Sequence, residues 1–357
     1  MTNIDQATDV REGEELDETN LEQWLVANVE EFEAPLEVKQ FPSGHSNLTY
    51  LLTDGAGHEY VARRPPHGAH VKSGHDMSRE WTVLEALEGH YGKVPRPVAY
   101  CEDDSVIGAP FYVMSRVRGT ILRGSNPNVP GLDAEKWEAL SETFVGEFAA
   151  IHALDYEEVG LGDFGRPDGY VERQIEGWID RYGKSQTDDI PQMETAGAWL
   201  RDNMPPEQDA SLIHNDFKYD NFVLDPDDLT DVVAVLDWEM ATVGDPLMDL
   251  GTSLAYWIEA RDPEIMQQLD LSPTMQEGNY TRRELVDRYE EVTGRDCSNI
   301  LFYYVYGLYK VAVIGQQIYY RYDQGHTDDQ RFGMLIYAVK ACAKTAADAI
   351  DRGTISQ

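Results

Sequence analysis

The spacing of apolar residues changes along the chain, and this change predicts two sections of different secondary structure. Helical spacing begins early, in LEQWLVANV from Leu21. Residues 36–66 then have the pattern of three strands, with turns at FPSGHSN and DGAG. A helix is predicted in HDMSREWTVLEALEG, followed by strands in RPVAYCED and PFYVMSRVRG. The first section is therefore predicted to be a five-stranded sheet with one helix between its third and fourth strands.

Helical spacing dominates after residue 118. The segment DAEKWEALSETFVGEFAAIHALD predicts a long amphipathic helix with Asp133 as its N-cap, and two more helices follow it. Short strands are predicted in SLIHND, NFVLDP and VVAVLDWE, before a helix with Pro246 in its first turn and a helical remainder. The pattern predicts an α+β fold with an acidic flexible tail (1–18), a small β-sheet lobe (19–117) and a larger, mainly helical lobe (118–357).

The strong negative charge of the chain disfavours anionic binding partners. The 357 residues carry a formal charge of −36, and the acidic residues are spread along the whole chain. Nucleic acid and anionic membranes are therefore disfavoured as partners, since both require a basic surface. Only nine of the 29 basic residues are lysine. Diffuse acid with little lysine favours adaptation to high salt, which screens charge repulsion within about 3 Å at 1 M. An ordinary acidic cytosolic protein is the alternative.

Cysteine usage and the N-terminus indicate the compartment. Cys101, Cys297 and Cys342 lie far apart without a CxxC motif, so neither a disulfide framework nor a zinc site is expected. The first residues contain no apolar signal region, and no apolar run approaches the length of a membrane span. We expect a soluble cytoplasmic protein.

Candidate chemistry is concentrated in HNDFKYDN, between the apolar runs SLI and FVL. Asp216 directly follows a predicted buried strand, where a carboxylate can orient a substrate hydroxyl or accept its proton. Lys218 is placed to reach a transferred phosphate. Asn221 offers a neutral oxygen to a metal ion, and Asp237, at the end of the apolar run VVAVLD, offers a carboxylate to the same ion. Glu239 is a further candidate ligand.

The order and spacing of these residues resemble a known family. His214, Asp216, Lys218 and Asn221 have the spacing of the protein-kinase catalytic loop, while LDWE replaces the Asp-Phe-Gly motif. The run LIHNDFKYDNFVLDP…VVAVLDWEMATVGDPLMDLG resembles the aminoglycoside phosphotransferase and choline kinase superfamily, in the branch related to kinase domains found with acyl-CoA dehydrogenases. This similarity extends from about residue 35 to the end and implies a protein-kinase-like two-lobe fold that uses ATP and Mg²⁺.

The resemblance implies a role for each residue of the motif. Asp216 becomes the catalytic base, with Lys218 beside it. The Mg²⁺ ligands become Asn221 and Asp237, with Glu239 as a further ligand or water-orienting group. Three residues are implied to support the loop or cap a helix: His214, Asp245 and Asp249.

Nucleotide-binding residues are implied in the first lobe. PSGHSNLTY occupies the place of the phosphate-covering loop, with Gly44 and the backbone amides of Ser46 and Asn47. YVARRPP occupies the place of the strand whose lysine holds the ATP phosphates in the family. Strand alternation puts Arg63 and Arg64 on opposite faces, and we favour Arg63 as the phosphate cation.

Two further predictions complete the nucleotide site. Glu80, on the helix that follows, is implied as the ion-pair partner of Arg63. The hinge segment YVMSRV, from Met114 to Arg116, is implied to bind adenine through its backbone.

These observations favour an ATP- and Mg²⁺-dependent kinase that phosphorylates a hydroxyl of a small molecule, with a hydroxyacyl or other CoA-linked metabolite as one candidate. An aminoglycoside-type antibiotic kinase is an alternative. Arginine in place of lysine and a glycine-poor loop also leave open a nucleotide-binding module with little catalysis. A protein kinase is disfavoured, because only seven residues separate Asp237 from Asp245 and leave no room for an ordinary activation loop.

The charge pattern predicts that stability depends on salt. Dialysis from multimolar KCl into dilute buffer should lower the midpoint of thermal unfolding, because the negative charges then repel one another unscreened. Circular dichroism melts across a KCl series measure this effect. An unchanged midpoint at low salt would contradict the halophilic interpretation.

Overall fold

The computed structural model describes residues 6–42, 47–66, 76–124, 129–269, 271–327 and 329–356. In chain order these residues form α1 (Glu18–Asn28), β1 (Glu37–Gln40), β2 (Leu48–Thr53), β3 (Glu59–Arg64), α2 (Met77–Leu87), β4 (Pro97–Cys101), α3 (Asp104–Ile107), β5 (Phe111–Ser115), α4 (Ala134–His152), α5 (Tyr170–Ser185), α6 (Pro191–Asp202), β6 (Ser211–Ile213), β7 (Phe222–Leu224), β8 (Val232–Val235), β9 (Thr242–Gly244), α7 (Pro246–Tyr256), α8 (Glu264–Gln267), α9 (Arg282–Thr293), α10 (Ile300–Asp323) and α11 (Leu335–Arg352).

The elements form two compact units, and the chain passes between them more than once. Met1–Ile121 and Phe222–Ala241 make up the first unit, and Leu122–Asn221 and Thr242–Gln357 make up the second. The boundary expected at residue 118 lies close to the observed one. Residues 222–241, however, were expected in the helical lobe and instead belong to the first unit, because their contacts are with residues far earlier in the chain.

The first unit is built on an antiparallel sheet with strand order β1-β2-β3-β5-β4. One face of the sheet buries a core that includes Tyr50, Leu52 and Phe111 together with Leu21 and Leu25 of α1. Five strands are present as expected, with α2 between the third and fourth. The short helix α3, between β4 and β5, was not predicted because its four residues are too few for a periodic signal.

A hairpin of β7 and β8 completes the first unit. The backbone groups of Thr120 and Leu224 bond each other in both directions at 2.9 Å, and the Val235 amide donates to the Lys93 carbonyl at 2.8 Å. Backbone hydrogen bonds thus attach both strands of the hairpin to the earlier part of the unit.

Residues 6–17 differ from the mobile tail predicted from their polar composition. The amide of Thr8 and the carbonyl of Gln40 bond at 2.8 Å, and the Tyr50 hydroxyl donates to the Glu14 carbonyl at 2.7 Å. Leu16 is buried, and the side chain of Asp17 caps α1. Backbone pairing with β1 orders this segment, and a composition count does not detect such pairing.

The second unit is mainly helical. As predicted, α4 begins after Asp133, whose carboxylate accepts the Lys136 amide at 3.1 Å. Strand β6 pairs with β9, a partner that the sequence did not predict because β9 has only three residues before the Asp-Pro that starts α7. Within the described residues, no helix combines the length and apolar character needed to cross a bilayer.

Glycines allow α7 and α10 to approach closely. A Cβ atom on Gly251 would lie 2.1 Å from the Tyr303 carbonyl oxygen, and one on Gly307 would lie 2.0 Å from the Gly251 carbonyl oxygen. Both neighbours are backbone atoms, which cannot rotate away. The backbones of the two helices are therefore in direct contact, and this contact holds the start of α7 in place.

Gly251→Ala should lower the free energy of unfolding by about 3 kcal/mol, because the helices must separate. Gly146→Ala is the matched control: a Cβ atom on Gly146 of α4 would meet no atom within 4 Å, so alanine should stabilise by about 0.5 to 1 kcal/mol. Urea denaturation measures both values. Equal effects of the two substitutions would contradict the close approach.

Candidate active site

A cluster of charged side chains lies in the first unit around Arg63 of β3. One guanidinium nitrogen (Nη1) donates to Glu80 Oε1 at 2.6 Å and to Asp237 Oδ1 at 3.0 Å. The other terminal nitrogen, Nη2, donates to Glu239 Oε2 at 3.2 Å. The side chains of Arg63 and Glu80 are 9% and 2% exposed, so their ion pair is shielded from water.

Burial and mutual attraction oppose each other in this cluster. Burial favours the uncharged guanidinium, but the attraction of Glu80 and the other acids outweighs it and holds the pKa of Arg63 well above its ordinary value. Burial raises the pKa of Glu80, and the charge of Arg63 opposes that rise. One permanent cation therefore lies among three acidic side chains, and the cluster attracts further positive charge.

The donor atoms of the cluster suit a hard divalent cation. Glu80, Asp237 and Glu239 each offer a carboxylate oxygen, and these atoms lie within 4.8 Å of one another. Magnesium prefers oxygen ligands of this kind. In this structure Arg63 contacts all three acids, so a metal ion would share or replace contacts that the guanidinium now makes.

Arg63 and Arg64 point to opposite faces of β3. The Arg64 guanidinium is buried and donates to the carbonyls of Ile107 at 2.8 Å and Pro65 at 3.0 Å. Arg64 thus fastens the sheet to α3, and Arg63 is the arginine that faces the acidic side chains.

The turn after β8 places Asp237. This residue has a φ of 67°, in the left-handed region that non-glycine residues rarely adopt. The next residue, Trp238, is fully buried, and its amide donates to Glu80 Oε1 at 3.2 Å. The buried indole and this hydrogen bond hold the turn, so that the Asp237 carboxylate, 34% exposed, faces Arg63.

The remaining residues predicted to bind nucleotide in the first unit are placed as follows. Asn47 is buried, and its side chain donates to Glu239 Oε2 at 2.7 Å. Gly44 and Ser46 lie outside the described residues. Met114 of β5 lies within the sheet, between strands β3 and β4. The Arg116 guanidinium pairs with Glu59 at 2.7 Å. The roles predicted for these residues in nucleotide binding stay predictions.

In the second unit, Asp216 follows β6, and its carboxylate accepts hydrogen bonds from neighbouring side chains of the loop. Its Oδ2 atom accepts from Lys218 Nζ at 2.9 Å and from Asn221 Nδ2 at 3.1 Å. Burial alone would raise the pKa of Asp216, but Lys218 beside it outweighs burial, and the pKa lies below its ordinary value. The side chain is 14% exposed. Asp216 is therefore a charged carboxylate that solvent can still reach.

Lys218 contacts the end of α7, and Asn221 contacts the loop itself. Lys218 Nζ lies 4.7 Å from the centroid of the Tyr256 ring, on the scale of a cation–π contact. The Asn221 amide nitrogen also donates to the Asp216 carbonyl at 2.7 Å. Because the side-chain nitrogen is bound within the loop, the side-chain oxygen is the atom that Asn221 could offer to a cation.

Of the three residues implied to be structural, two hold this loop by hydrogen bonds and the third caps α7. Asp249 of α7 accepts the backbone amide of His214 at 2.6 Å and that of Asn215 at 2.7 Å. His214 Nδ1 accepts the Asp216 amide at 3.2 Å. Asp245 caps α7 by accepting the Leu247 amide at 2.8 Å. These contacts have the form that the resemblance implied, whereas the roles of the loop residues in a reaction stay predictions.

Sequence reasoning missed Lys310, Tyr256 and Asn215. Lys310 of α10 is buried, and its ammonium donates to the Asn215 carbonyl at 2.8 Å. Its signal was a lysine within the apolar, tyrosine-rich run from Leu301, in a chain where lysine is scarce. Asn215 has a φ of 67° and, with Asp237, is one of two non-glycine residues in the left-handed region among those that the structure describes.

The model of the phosphotransferase enzyme family matches residues 37–285. The chain belongs to this family. A Ralstonia eutropha protein assigned as an aminoglycoside phosphotransferase is 32% identical, with 95% of this chain and 99% of that chain covered and a TM-score of 0.79. The fold is therefore the protein-kinase-like α+β fold of the aminoglycoside phosphotransferases, as the sequence predicted.

Two further comparisons add to this one. Acyl-CoA dehydrogenase family member 11 of Gallus gallus is 32% identical over 360 residues, which cover 98% of this chain and 45% of the relative. The chain thus spans less than half the length of that relative. Amicoumacin kinase in complex with AMP-PNP, Ca²⁺ and Ami is 13% identical, with 95% of each chain covered and a TM-score of 0.58, and shares the fold. The resemblance stated from the sequence is confirmed.

Arg63→Met should lower the free energy of unfolding by about 3 to 5 kcal/mol, because it leaves buried Glu80 beside two more acids without a cation. Arg201→Met is the matched control. Arg201 pairs with Glu176 at the surface, where both side chains are nearly half exposed, and its loss should cost less than about 1 kcal/mol. Urea denaturation at constant KCl measures both. Equally small losses would show that the Arg63 cluster contributes little to stability.

Proposed function

We propose that this protein is an ATP- and Mg²⁺-dependent kinase that transfers the γ-phosphate of ATP to a hydroxyl group of a small molecule. The observation that carries the proposal is the Asp216 carboxylate, held by Lys218 and Asn221 and kept charged on a braced loop. A fixed carboxylate of this kind can accept a hydrogen bond from an alcohol and take its proton as the phosphate transfers.

The other residues of the proposal act on charge and position. Asp216 orients the acceptor hydroxyl, and the positive charge of Lys218 stabilises the negative charge of the phosphoryl group. Arg63, fixed by Glu80 at 2.6 Å, binds the phosphates of ATP. Arginine suits this role because its planar fork can donate two parallel hydrogen bonds to a phosphate.

As the resemblance implies, Asp237 and Asn221 are the proposed protein ligands of Mg²⁺, with Glu239 as a further ligand. Their oxygen donors fit the preference of this ion. Bound there, Mg²⁺ would offset the negative charge of the ATP phosphates. The AMP-PNP and Ca²⁺ in the amicoumacin kinase complex support the assignment of a nucleotide and a divalent ion to this fold.

For the acceptor we propose a hydroxyacyl or other CoA-linked metabolite. The name of the Gallus gallus relative, an acyl-CoA dehydrogenase family member, supports this class. An antibiotic acceptor has less support, since the acidity that would attract a cationic drug is spread over the whole chain. We place the reaction in the cytoplasm, on a small molecule rather than on nucleic acid or a membrane.

A screen for phosphorylated products tests the proposal. The protein, MgATP and a metabolite extract are incubated in multimolar KCl, and new phosphate esters are detected by mass spectrometry. Asp216→Asn should lower the rate on the identified acceptor by about 10²- to 10⁴-fold, the contribution of a general base. Asp227→Asn, at an exposed acid of the β7–β8 turn, should leave the rate within about twofold.

Nucleotide binding separates a kinase from a binding module. Calorimetry should detect MgATP binding by the wild type, and Asp237→Ala should weaken it more than Asp216→Ala does, because of these two aspartates only Asp237 is a proposed metal ligand. Binding without any phosphorylated product would favour the module with little catalysis. Absence of MgATP binding would contradict both nucleotide functions, and full activity of Asp216→Asn would contradict the assigned base.

A further inference from the structure

The ammonium group of Lys310 contacts the loop that carries Asp216. Lys310 is 2% exposed, and its Nζ donates to both oxygens of Asn215, the backbone carbonyl at 2.8 Å and Oδ1 at 3.2 Å. Asn215 immediately precedes Asp216 in the chain. The lysine thus contacts the residue that sets the direction of the candidate catalytic carboxylate.

Three groups from three helices hold Asn215. The backbone amide of Asn215 donates to Asp249 of α7 at 2.7 Å. The side-chain nitrogen of Asn215 donates to the Tyr170 hydroxyl of α5 at 3.3 Å. Lys310 of α10 binds the two oxygens. Every polar group of this residue therefore has a partner.

The conformation of Asn215 requires such support. A φ of 67° places its backbone in the left-handed region, which costs about 1 to 2 kcal/mol for a residue with a Cβ. Rotation back to the ordinary region would redirect the chain at Asp216 and separate its carboxylate from Lys218 and Asn221. The contacts of Lys310 oppose this rotation at the carbonyl side of the residue.

A buried ammonium is an unfavourable choice if stability alone is considered. Burial lowers the pKa of Lys310 to about 8, with Asp249 and Asp216 opposing the shift and Lys218 and Arg181 adding to it. An apolar side chain of similar length in this helix would avoid that desolvation. Such a side chain would also leave both oxygens of Asn215 without their donor, so these hydrogen bonds, rather than packing, account for the lysine.

We propose that Lys310 is a positioning residue for phosphoryl transfer, which holds Asn215 in its left-handed conformation and thereby aims the Asp216 carboxylate. The inference rests on the proposed kinase function for its catalytic part. Its structural part, the restraint of Asn215, does not depend on any substrate.

Substitution at position 310 tests the proposal with MgATP hydrolysis as the probe, measured as phosphate release. Lys310→Met should lower kcat at least tenfold and leave KM for MgATP within twofold. The midpoint of thermal unfolding should fall, because both oxygens of Asn215 lose their donor and buried Asp249 loses a nearby cation. Lys310→Arg, which keeps charge and donors, should recover most of kcat. The matched control Lys340→Met, at a surface lysine of α11 paired with Asp188, should leave all three values unchanged.

A double substitution shows whether Lys310 acts through Asn215. Glycine adopts positive φ without strain, so Lys310→Met in an Asn215→Gly background should lower kcat by less than threefold relative to Asn215→Gly alone. The same tenfold loss in both backgrounds would overturn the proposal. If Lys310→Met does not fold cooperatively, Lys310→Gln replaces it, with the same expectations.

Hydrogen exchange separates failure of this inference from failure of the proposed function. The amides of residues 214–218 should exchange at least tenfold faster in Lys310→Met than in Lys340→Met, whether or not a phosphorylated product is ever found. Equal exchange in the two variants would overturn the inference even if the wild type is an active kinase. If the wild type shows no phosphotransfer but Lys310→Met still exchanges faster than Lys340→Met, the kinase is rejected and the restraint of Asn215 is kept.

Discussion

The geometry of the candidate catalytic loop depends on one carboxylate that accepts two consecutive backbone amides. Asp249 bonds the N–H groups of His214 and Asn215 and is itself fully buried. Both amides lie just beyond β6, where the sheet no longer supplies acceptors, and buried donors without partners would be costly. Because Asp249 is one turn inside α7, the start of that helix also determines where the loop can lie. The glycine contact between α7 and α10 therefore affects the loop as well.

Both units contain buried cations that lie beside acidic side chains. In the first unit Arg63 lies among three acids, and in the second Lys218 and Lys310 lie beside Asp216 and Asp249. Burial makes each of these charges costly on its own, and the opposite charge beside it offsets that cost. A chain with a net charge of −36 has few cations, so the placement of three of them among the acids of the candidate clusters is informative.

The sequence predicted those parts of the molecule that local patterns determine. The strands β7 and β8, the Asp133 cap and the spacing from His214 to Asn221 follow from residues near one another in the chain. The pairing of β9 with β6 and the attachment of residues 6–17 to β1 depend on distant partners, so no local pattern records them. Lys310 was missed for a related reason. A helical period shows that a face of α10 is buried, but the rotation of α10 against α7 decides which loop a side chain on that face meets.

The hairpin at Phe222–Ala241 has a consequence for how the protein is made. The chain leaves the second unit after Asn221, completes the first unit, and returns at Thr242. On the ribosome, the first unit cannot finish folding when residue 121 emerges, because two of its strands are about a hundred residues away. It must wait, partly formed, until roughly two thirds of these residues have been synthesised. For the same reason, neither unit corresponds to a single contiguous gene fragment, so a truncation at any one point divides at least one of them.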